Sequence, residues 1–172
     1  RQMNIEVWMI TGDNPRTAAA IGETTGIDKD HIMAEVAPVE KEKKITELKK
    51  QGKIVSMVGD GINDAPALAA SDVGIAMGAG TDVAMESAGI TLMRSDLMDV
   101  VRAIKLSKTT LKIIKQNLFW AFFYNTAFIP VAAGVLYPFF GILLNPIFAS
   151  VAMAFSSLSV VLNSLRLKRL QI

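Results

Sequence analysis

The chain has 172 residues, 51% of them apolar and 20% charged, with a formal net charge of +2, about one globular domain's worth or a little more. That net figure hides a division. Residues 1–99 hold 10 Lys+Arg against 16 Asp+Glu, residues 100–115 five bases and no acid, residues 116–165 no charge, and residues 166–172 three bases. Fifty residues of an average soluble domain carry roughly a dozen charged groups, so the pattern argues against a wholly soluble protein. Bases that merely bracket an apolar stretch also argue against a nucleic-acid binder. The absence of cysteine and the single His31 exclude disulfide scaffolds, thiol catalysis, zinc–cysteine sites and histidine metal clusters.

No signal peptide opens the chain, whose first residues run straight into a strand pattern. Glu6–Thr11 (EVWMIT) reads as a short buried strand, with Trp8 packed in the sheet. Asn14 caps a helix that has Pro15 at its first position and Gly26 as its stop. His31–Glu35 reads as a second strand, and His31 as structural. Pro38 opens a Lys/Glu-rich helix ending near Gly52. Lys43, Lys44, Lys49 and Lys50 form its solvated face, paired with Glu40, Glu42 and Glu47. Ile54–Val58 gives the clearest strand pattern. A short helix follows at Ala65–Ala70, a strand at Val73–Met77, a helical turn at Thr81–Ala88 and a strand at Ile90–Met93. Met9, Met57, Met77, Met85 and Met93 read as core filler. From Asp96 a long amphipathic helix leads onward. Strand–helix alternation with short connections predicts a parallel sheet covered on both faces, with ligands beyond the carboxyl ends of its strands.

Two loops fall at such ends. Thr11-Gly12-Asp13-Asn14 joins a hydroxyl, an exposed Gly backbone and a helix N-terminus, an arrangement suited to phosphate; helix capping alone also accounts for Asn14. Gly59-Asp60-Gly61-Ile62-Asn63-Asp64 presents two carboxylates four residues apart with an amide between them. Mg²⁺ is usually held by one or two carboxylates together with phosphate oxygens and water, and a self-satisfied Asp/Asn/Gly turn is the bland alternative. Lys41, at the start of the Pro38 helix, stands near the sheet edge. There it either neutralises a phosphoryl group or extends the solvated face.

The uncharged stretch accommodates two transmembrane helices of about 20 residues each, Asn117–Leu136 and Asn145–Leu165, joined by a turn at Tyr137–Leu144. Bases outside both ends place those ends in the cytoplasm. Tyr124, Asn125 and Thr126 in the first helix, and Ser150, Ser156, Ser157, Ser159 and Asn163 in the second, could simply serve packing. Met153 precedes Ser156 and Ser157 by three and four residues, which puts a thioether and hydroxyls on one helix face. Such donors suit a soft monovalent cation such as Cu(I) better than a hard dication.

ITGDN at 10–14, APVEK at 37–41, MVGDGINDAPAL at 57–68 and GTDVAMESAGITLM at 80–93 resemble the phosphorylation domain of P-type ATPases, a haloacid-dehalogenase-like α/β fold. FYN at 123–125 and MAFSS at 153–157 resemble the last two membrane helices of the copper(I) exporters in that family. The resemblance implies that Asp60 and Asp64 hold Mg²⁺. It implies that Thr11, Gly12, Lys41 and Asn63 contact the phosphoryl group and that Asp13 sits near the nucleotide, ATP. Tyr124, Asn125, Met153, Ser156 and Ser157 would help form the Cu(I) or Ag(I) pathway. Zinc-type relatives place charged residues in these helices, and here there are none. The phosphorylated Asp of Asp-Lys-Thr-Gly-Thr, the nucleotide-binding and actuator domains, six earlier membrane helices and the Cys-Pro-Cys motif are not in the sequence.

The expected organisation is therefore the C-terminal part of a pump. Residues 1–99 supply part of the phosphorylation domain, 100–115 a linker helix, 116–165 the transmembrane pair and 166–172 a basic tail. The fragment alone is expected to be inactive. Its expected partners are the pump's other domains, the bilayer and a copper chaperone, with no nucleic acid. A membrane-tethered phosphatase of the same fold and a non-enzymatic membrane scaffold are the rival readings.

Overall fold

The computed structural model describes residues 2–60, 62–78, 82–141 and 146–169. The chain forms two compact units, residues 1–100 and 101–172.

The first unit alternates strands and helices: β1 (Met9–Ile10), α1 (Pro15–Thr25), β2 (Ile32–Met33), α2 (Pro38–Lys50), β3 (Ser56–Gly59), α3 (Ala65–Ala70), β4 (Val73–Met77), α4 (Asp82–Ser87) and β5 (Ile90–Leu92). The helix ends follow their local chemistry. The Asn14 carboxamide accepts from Thr17 N–H, Pro15 occupies the first turn, and Gly26 closes α1 in the left-handed conformation at φ 71°, which a residue without Cβ adopts freely. In α2, Glu40 reaches back to accept from Ala37 N–H at 3.3 Å.

The strands pair in parallel, but they form two ladders, β1–β2 and β3–β4–β5, where one sheet was expected. Met9 pairs with Ile32, Ser56 with Val73, and Ile75 with Ile90. β1 and β3 are not joined by a ladder, yet Ile10 packs on the core cluster of Ile45, Met57, Ala67 and Leu68. Met57 and Met77 are core residues, whereas Met93 is 88% exposed.

Three strands are displaced from their expected spans. β1 is two residues long, because Glu6 and Trp8 are engaged elsewhere. Trp8 donates to Glu6, which pairs with Lys53, and its ring stacks on His31 at 4.3 Å rather than packing in the sheet. β2 begins after His31, which ends a 3-10 turn, and it stops before Glu35, whose φ is 54°. β3 begins at Ser56 rather than Ile54, which is 90% exposed. Val55 instead bonds the Asp72 carboxylate through its N–H.

That contact, with Lys49 beside it, holds the Asp72 carboxyl below its ordinary range, and Lys53 does the same for Glu6. A carboxylate depressed in the folded state contributes stability above its unfolded value and loses it as pH falls. Lys49 thus bridges Asp72 at 3.1 Å and the Ala70 carbonyl at 2.8 Å, while Lys44 and Glu47 form the expected pair on the solvated face.

In the second unit α5 runs unbroken from Leu97 to Ala132, followed by α6 (Tyr137–Phe140) and α7 (Pro146–Leu165). The linker helix and the first expected span are therefore one helix. It ends at Ala132, and α6 occupies part of the expected turn. Residues 142–144 of that turn, Asn145 at the expected start of the second span, and 170–172 of the basic tail lie outside the described residues, as do Gly61, Gly80 and Thr81. Among the described residues no helix is long and apolar enough to cross a membrane. In α5, Lys115, Gln116, Asn117, Tyr124, Asn125 and Pro130 dilute the apolar run.

Gly74 of β4 lies under two backbones: a Cβ there would stand 2.8 Å from the Leu68 carbonyl oxygen and 3.3 Å from Ala88 Cα. Neither backbone can give way as a side-chain tip could, so Gly74→Ala should lower the unfolding free energy by about 1–3 kcal/mol. Urea denaturation followed by circular dichroism tests this. The same assay run from pH 6 downward should show stability falling through and below about pH 4, and Asp72→Asn should flatten that fall.

Candidate functional site

The two loops singled out in the sequence follow the carboxyl ends of β1 and β3. After β1, the Thr11 hydroxyl donates to Asp13 Oδ2 at 2.9 Å and accepts the Asp13 N–H at 3.1 Å. Beneath this loop, Glu35 N–H donates to Asp13 O and Val36 N–H to Thr11 O, which fixes the loop on the end of the β1–β2 ladder. Packing does not demand Gly12, since a Cβ there would meet Val36 O at an ordinary 3.6 Å. The exposed glycine leaves its backbone open to a ligand.

After β3, Asp60 is exposed, Asn63 is exposed, and Asp64 is buried at 8% exposure. The Lys41 ammonium donates to Asp64 Oδ1 at 2.7 Å, so the start of α2 is tied to the turn ahead of α3. A buried carboxylate needs such a partner. Asp64 Oδ2 lies against Gly59, where a Cβ would stand 2.8 Å from that oxygen and 2.8 Å from Asp64 Cβ. Only glycine at 59 lets the carboxylate occupy this place. Three positions distant in sequence, 41, 59 and 64, therefore meet in one site.

Lys41 thus leaves the solvated-face reading and joins the acidic loop. Thr11, Gly12 and Asp13 form a separate hydrogen-bonded loop after β1. Among the described residues no group of three or more His, Asp or Glu side chains could hold a metal ion. Any metal at Asp60 and Asp64 would need further oxygens from a substrate or water, which is the ordinary situation of Mg²⁺.

In the second unit, Tyr124 and Ser156 are half-buried, while Asn125, Ser157 and Met153 are exposed, Met153 at 70%. Among the described residues Asn125 bonds within its own helix, donating to the Ala121 carbonyl at 2.8 Å. The helices α5 and α7 therefore do not by themselves gather these five residues into one pocket. Of the residues that join the two helices, the sequence reading singled out Asn163 as a packing group but not Asn117 or Ser164. Asn163 Nδ2 donates to Asn117 Oδ1 at 2.8 Å, Asn117 Nδ2 donates to Ser164 Oγ at 2.9 Å, and Arg166 donates to Asn163 Oδ1 at 3.1 Å. The available signal was an amide near the same end of each expected span.

The family model of haloacid dehalogenase-like hydrolases matches residues 1–72, and the α/β unit has that fold, a parallel arrangement flanked by helices. The chain is 57% identical over 169 residues to a probable copper-transporting ATPase, PacS, of Synechocystis sp., covering 98% of this chain and 22% of that protein. It is 62% identical over 169 residues to a probable copper-importing P-type ATPase A of Enterococcus hirae, with the same coverage. It is 56% identical over 172 residues to a silver exporting P-type ATPase of Salmonella typhimurium, covering 100% of this chain and 21% of that one. Among solved structures, a zinc-transporting PIB-type ATPase in its E2.Pi state matches with a TM-score of 0.76 at 38% identity, over 92% of this chain and 25% of that one. The chain spans about a fifth of the length of these curated relatives. The resemblance to copper-transporting P-type ATPases carried by the motifs is borne out over nearly the whole chain.

Removing Lys41 leaves a buried carboxylate unpaired. Lys41→Met should lower stability by about 1–3 kcal/mol, and adding Asp64→Asn should recover part of that loss. Urea midpoints of the single and double variants check both.

Proposed function

We infer that this chain is the C-terminal segment of a P-type ATPase that couples ATP hydrolysis to Cu(I) transport across a membrane. In this reading residues 1–99 are part of the phosphorylation domain, 116–165 a transmembrane helix pair, and 166–172 a cytoplasmic tail. The observation that carries the reading is the buried Lys41–Asp64 pair at the carboxyl end of β3, set in a sequence closely similar to copper-transporting ATPases.

Ile10 of β1 packs on the core cluster that holds Met57 of β3, yet no ladder joins the two strands. This supports the insertion of a further parallel strand from elsewhere in the protein, carrying the nucleophilic aspartate. That carboxylate attacks the γ-phosphorus of ATP in line; the new P–O bond forms as the bond to ADP breaks. Lys41 sets its charge beside the phosphoryl oxygens. The Thr11 hydroxyl, the Gly12 N–H and the Asn63 amide donate to them, and Asp13 faces the nucleotide. Asp60 and Asp64 would hold Mg²⁺, which when bound offsets charge on those oxygens. Their hard-oxygen character fits that ion, as does the glycine cradle beneath Asp64 Oδ2.

The helix pair is read as spanning the bilayer because 116–165 carry no charge and bases flank both ends, which also places both ends in the cytoplasm. Tyr124, Asn125, Met153, Ser156 and Ser157 contribute to the ion path. A thioether with neutral oxygens and no carboxylate favours Cu(I) or Ag(I) over a hard dication. Export is carried from the motif resemblance, while the relatives' names divide between import and export. The pump's remaining domains, the bilayer and a copper chaperone are the proposed partners. α5 is continuous from 97 to 132 and provides a covalent route by which phosphorylation biases the membrane helices. A membrane-tethered phosphatase would need only an inert anchor, and polar side chains on the exposed faces of the pair speak against one.

In the full-length protein, Asp64→Ala should abolish Mg²⁺-dependent phosphoenzyme labelling by ATP; labelling at the unaltered level would remove Asp64 from the machinery. Met153→Ala should lower Cu(I) bound per protein without loss of fold, and unchanged stoichiometry would remove Met153 from the path.

A further inference from the structure

The hydrogen-bonded contact between α5 and α7 lies well away from the residues assigned to the ion path. Asn117 both accepts from Asn163 at 2.8 Å and donates to Ser164 at 2.9 Å. Asn163 also lies 3.4 Å from Gln116 Oε1 and accepts from Arg166. A carboxamide is polar at both ends, and here both ends of Asn117 are used across the helix pair. Sliding one helix by a residue would break both bonds at once. Directional bonds at both ends of one carboxamide fix axial alignment, as a buried Asn fixes register in a coiled coil.

The half-buried positions show what that alignment sets. On α5 they include Asn117, Ala121 and Tyr124, and on α7 they include Asn163, Ser159 and Ser156. Tyr124 lies seven residues beyond Asn117, and Ser156 seven residues before Asn163. Each interval is two helical turns, about 10.5 Å. The arms beyond the contact are also of similar length, from Asn117 to the end of α5 and from the start of α7 to Asn163, as an antiparallel pair requires. Counting from the amide contact then brings Tyr124 level with Ser156.

We propose that Asn117, Asn163 and Ser164 are positioning residues. Their contact holds α5 and α7 in the one register that sets Tyr124 level with Ser156 on the ion path. This rests on the copper-pump reading for its consequence, but not for the register itself. The three residues touch no ion; they act through the two helices.

Residues 1–172 contain no cysteine, so a pair introduced here reports on this segment once cysteines elsewhere in the full-length protein are replaced. In membranes, Ala121→Cys with Ser159→Cys should cross-link readily under mild oxidation, and Ala121→Cys with Ser156→Cys, one turn out of register, should not. Asn117→Leu should reduce this discrimination. The milder Asn117→Ser should reduce it less, and the reciprocal exchange Asn117→Ser with Ser164→Asn should restore it. In the otherwise unaltered pump, Asn117→Leu should raise the KM for Cu(I) by about tenfold, the lower end of what losing an outer support of a metal site costs, with kcat at saturating Cu(I) retained. The reciprocal exchange should recover the KM. Equal cross-linking of the two pairs, or discrimination and KM unchanged in Asn117→Leu and Asn117→Ser, would overturn the proposal. If the unaltered protein shows no copper-stimulated ATP hydrolysis while the cross-links behave as expected, the register stands and the copper-pump reading falls.

Discussion

The contact between Lys41 and Asp64 organises the first unit. Asp64 sits in the turn between β3 and α3, at a place where its carboxylate leaves water. A charge so placed must be matched nearby or it neutralises or unfolds its surroundings. Lys41 supplies the match from the first turn of α2, and the position of that turn is set by Pro38 at the helix start. The partner oxygen is held against the bare backbone of Gly59. A proline, a glycine and one ion pair therefore determine where α2, β3 and α3 meet. The exposed Asp60 and Asn63 stand in the same turn.

The helices were legible because their ends are local. Asn14, Pro15 and Gly26 bracket α1, and Pro38 opens α2, each within a few residues of the group it satisfies. The strands were less so. Ile54 and Val55 carry the side chains of a strand, yet the ladder starts at Ser56, because the carboxylate of Asp72, distant in sequence, takes the Val55 N–H. His31 stacks on Trp8, a contact that depends on a ring distant in sequence. The acidic loop and the Thr11 loop were legible by composition, whereas the pairing of Lys41 with Asp64 depended on which face of α2 meets the turn. Lys49 shows the same limit: by spacing it belongs to the solvated face of α2, but the fold gives it Asp72 and the Ala70 carbonyl. Periodicity ranks the faces of an element; it does not say which distant group lies opposite.

The second unit illustrates how charge and hydropathy carry different information. Residues 116–165 are free of charge, but α5 contains amides, a tyrosine and a proline, and no described helix reaches the apolarity of a simple span. A helix that only anchors a protein gains nothing from such groups, each of which costs free energy in hydrocarbon unless a partner is found. Their distribution separates two roles. Asn117, Asn163 and Ser164 find their partners in each other, across the pair.

Asn125, Ser157 and Met153 lie on exposed positions, and Asn125 has only the carbonyl of its own helix. If the pair spans a bilayer, as proposed, one amide hydrogen and the amide oxygen of Asn125 find no partner among the described residues of the pair, a costly state for a side chain with two donors and an acceptor. The cost vanishes if these faces turn toward further helices or toward a cation that accepts neutral oxygen and sulfur donors. The chain covers about a fifth of the proteins it resembles, so most of the surface that could face Asn125 and Met153 belongs to other segments. The two helices thus keep an amide contact on their shared side and leave Asn125, Ser157 and Met153 on exposed positions, open to segments outside this chain.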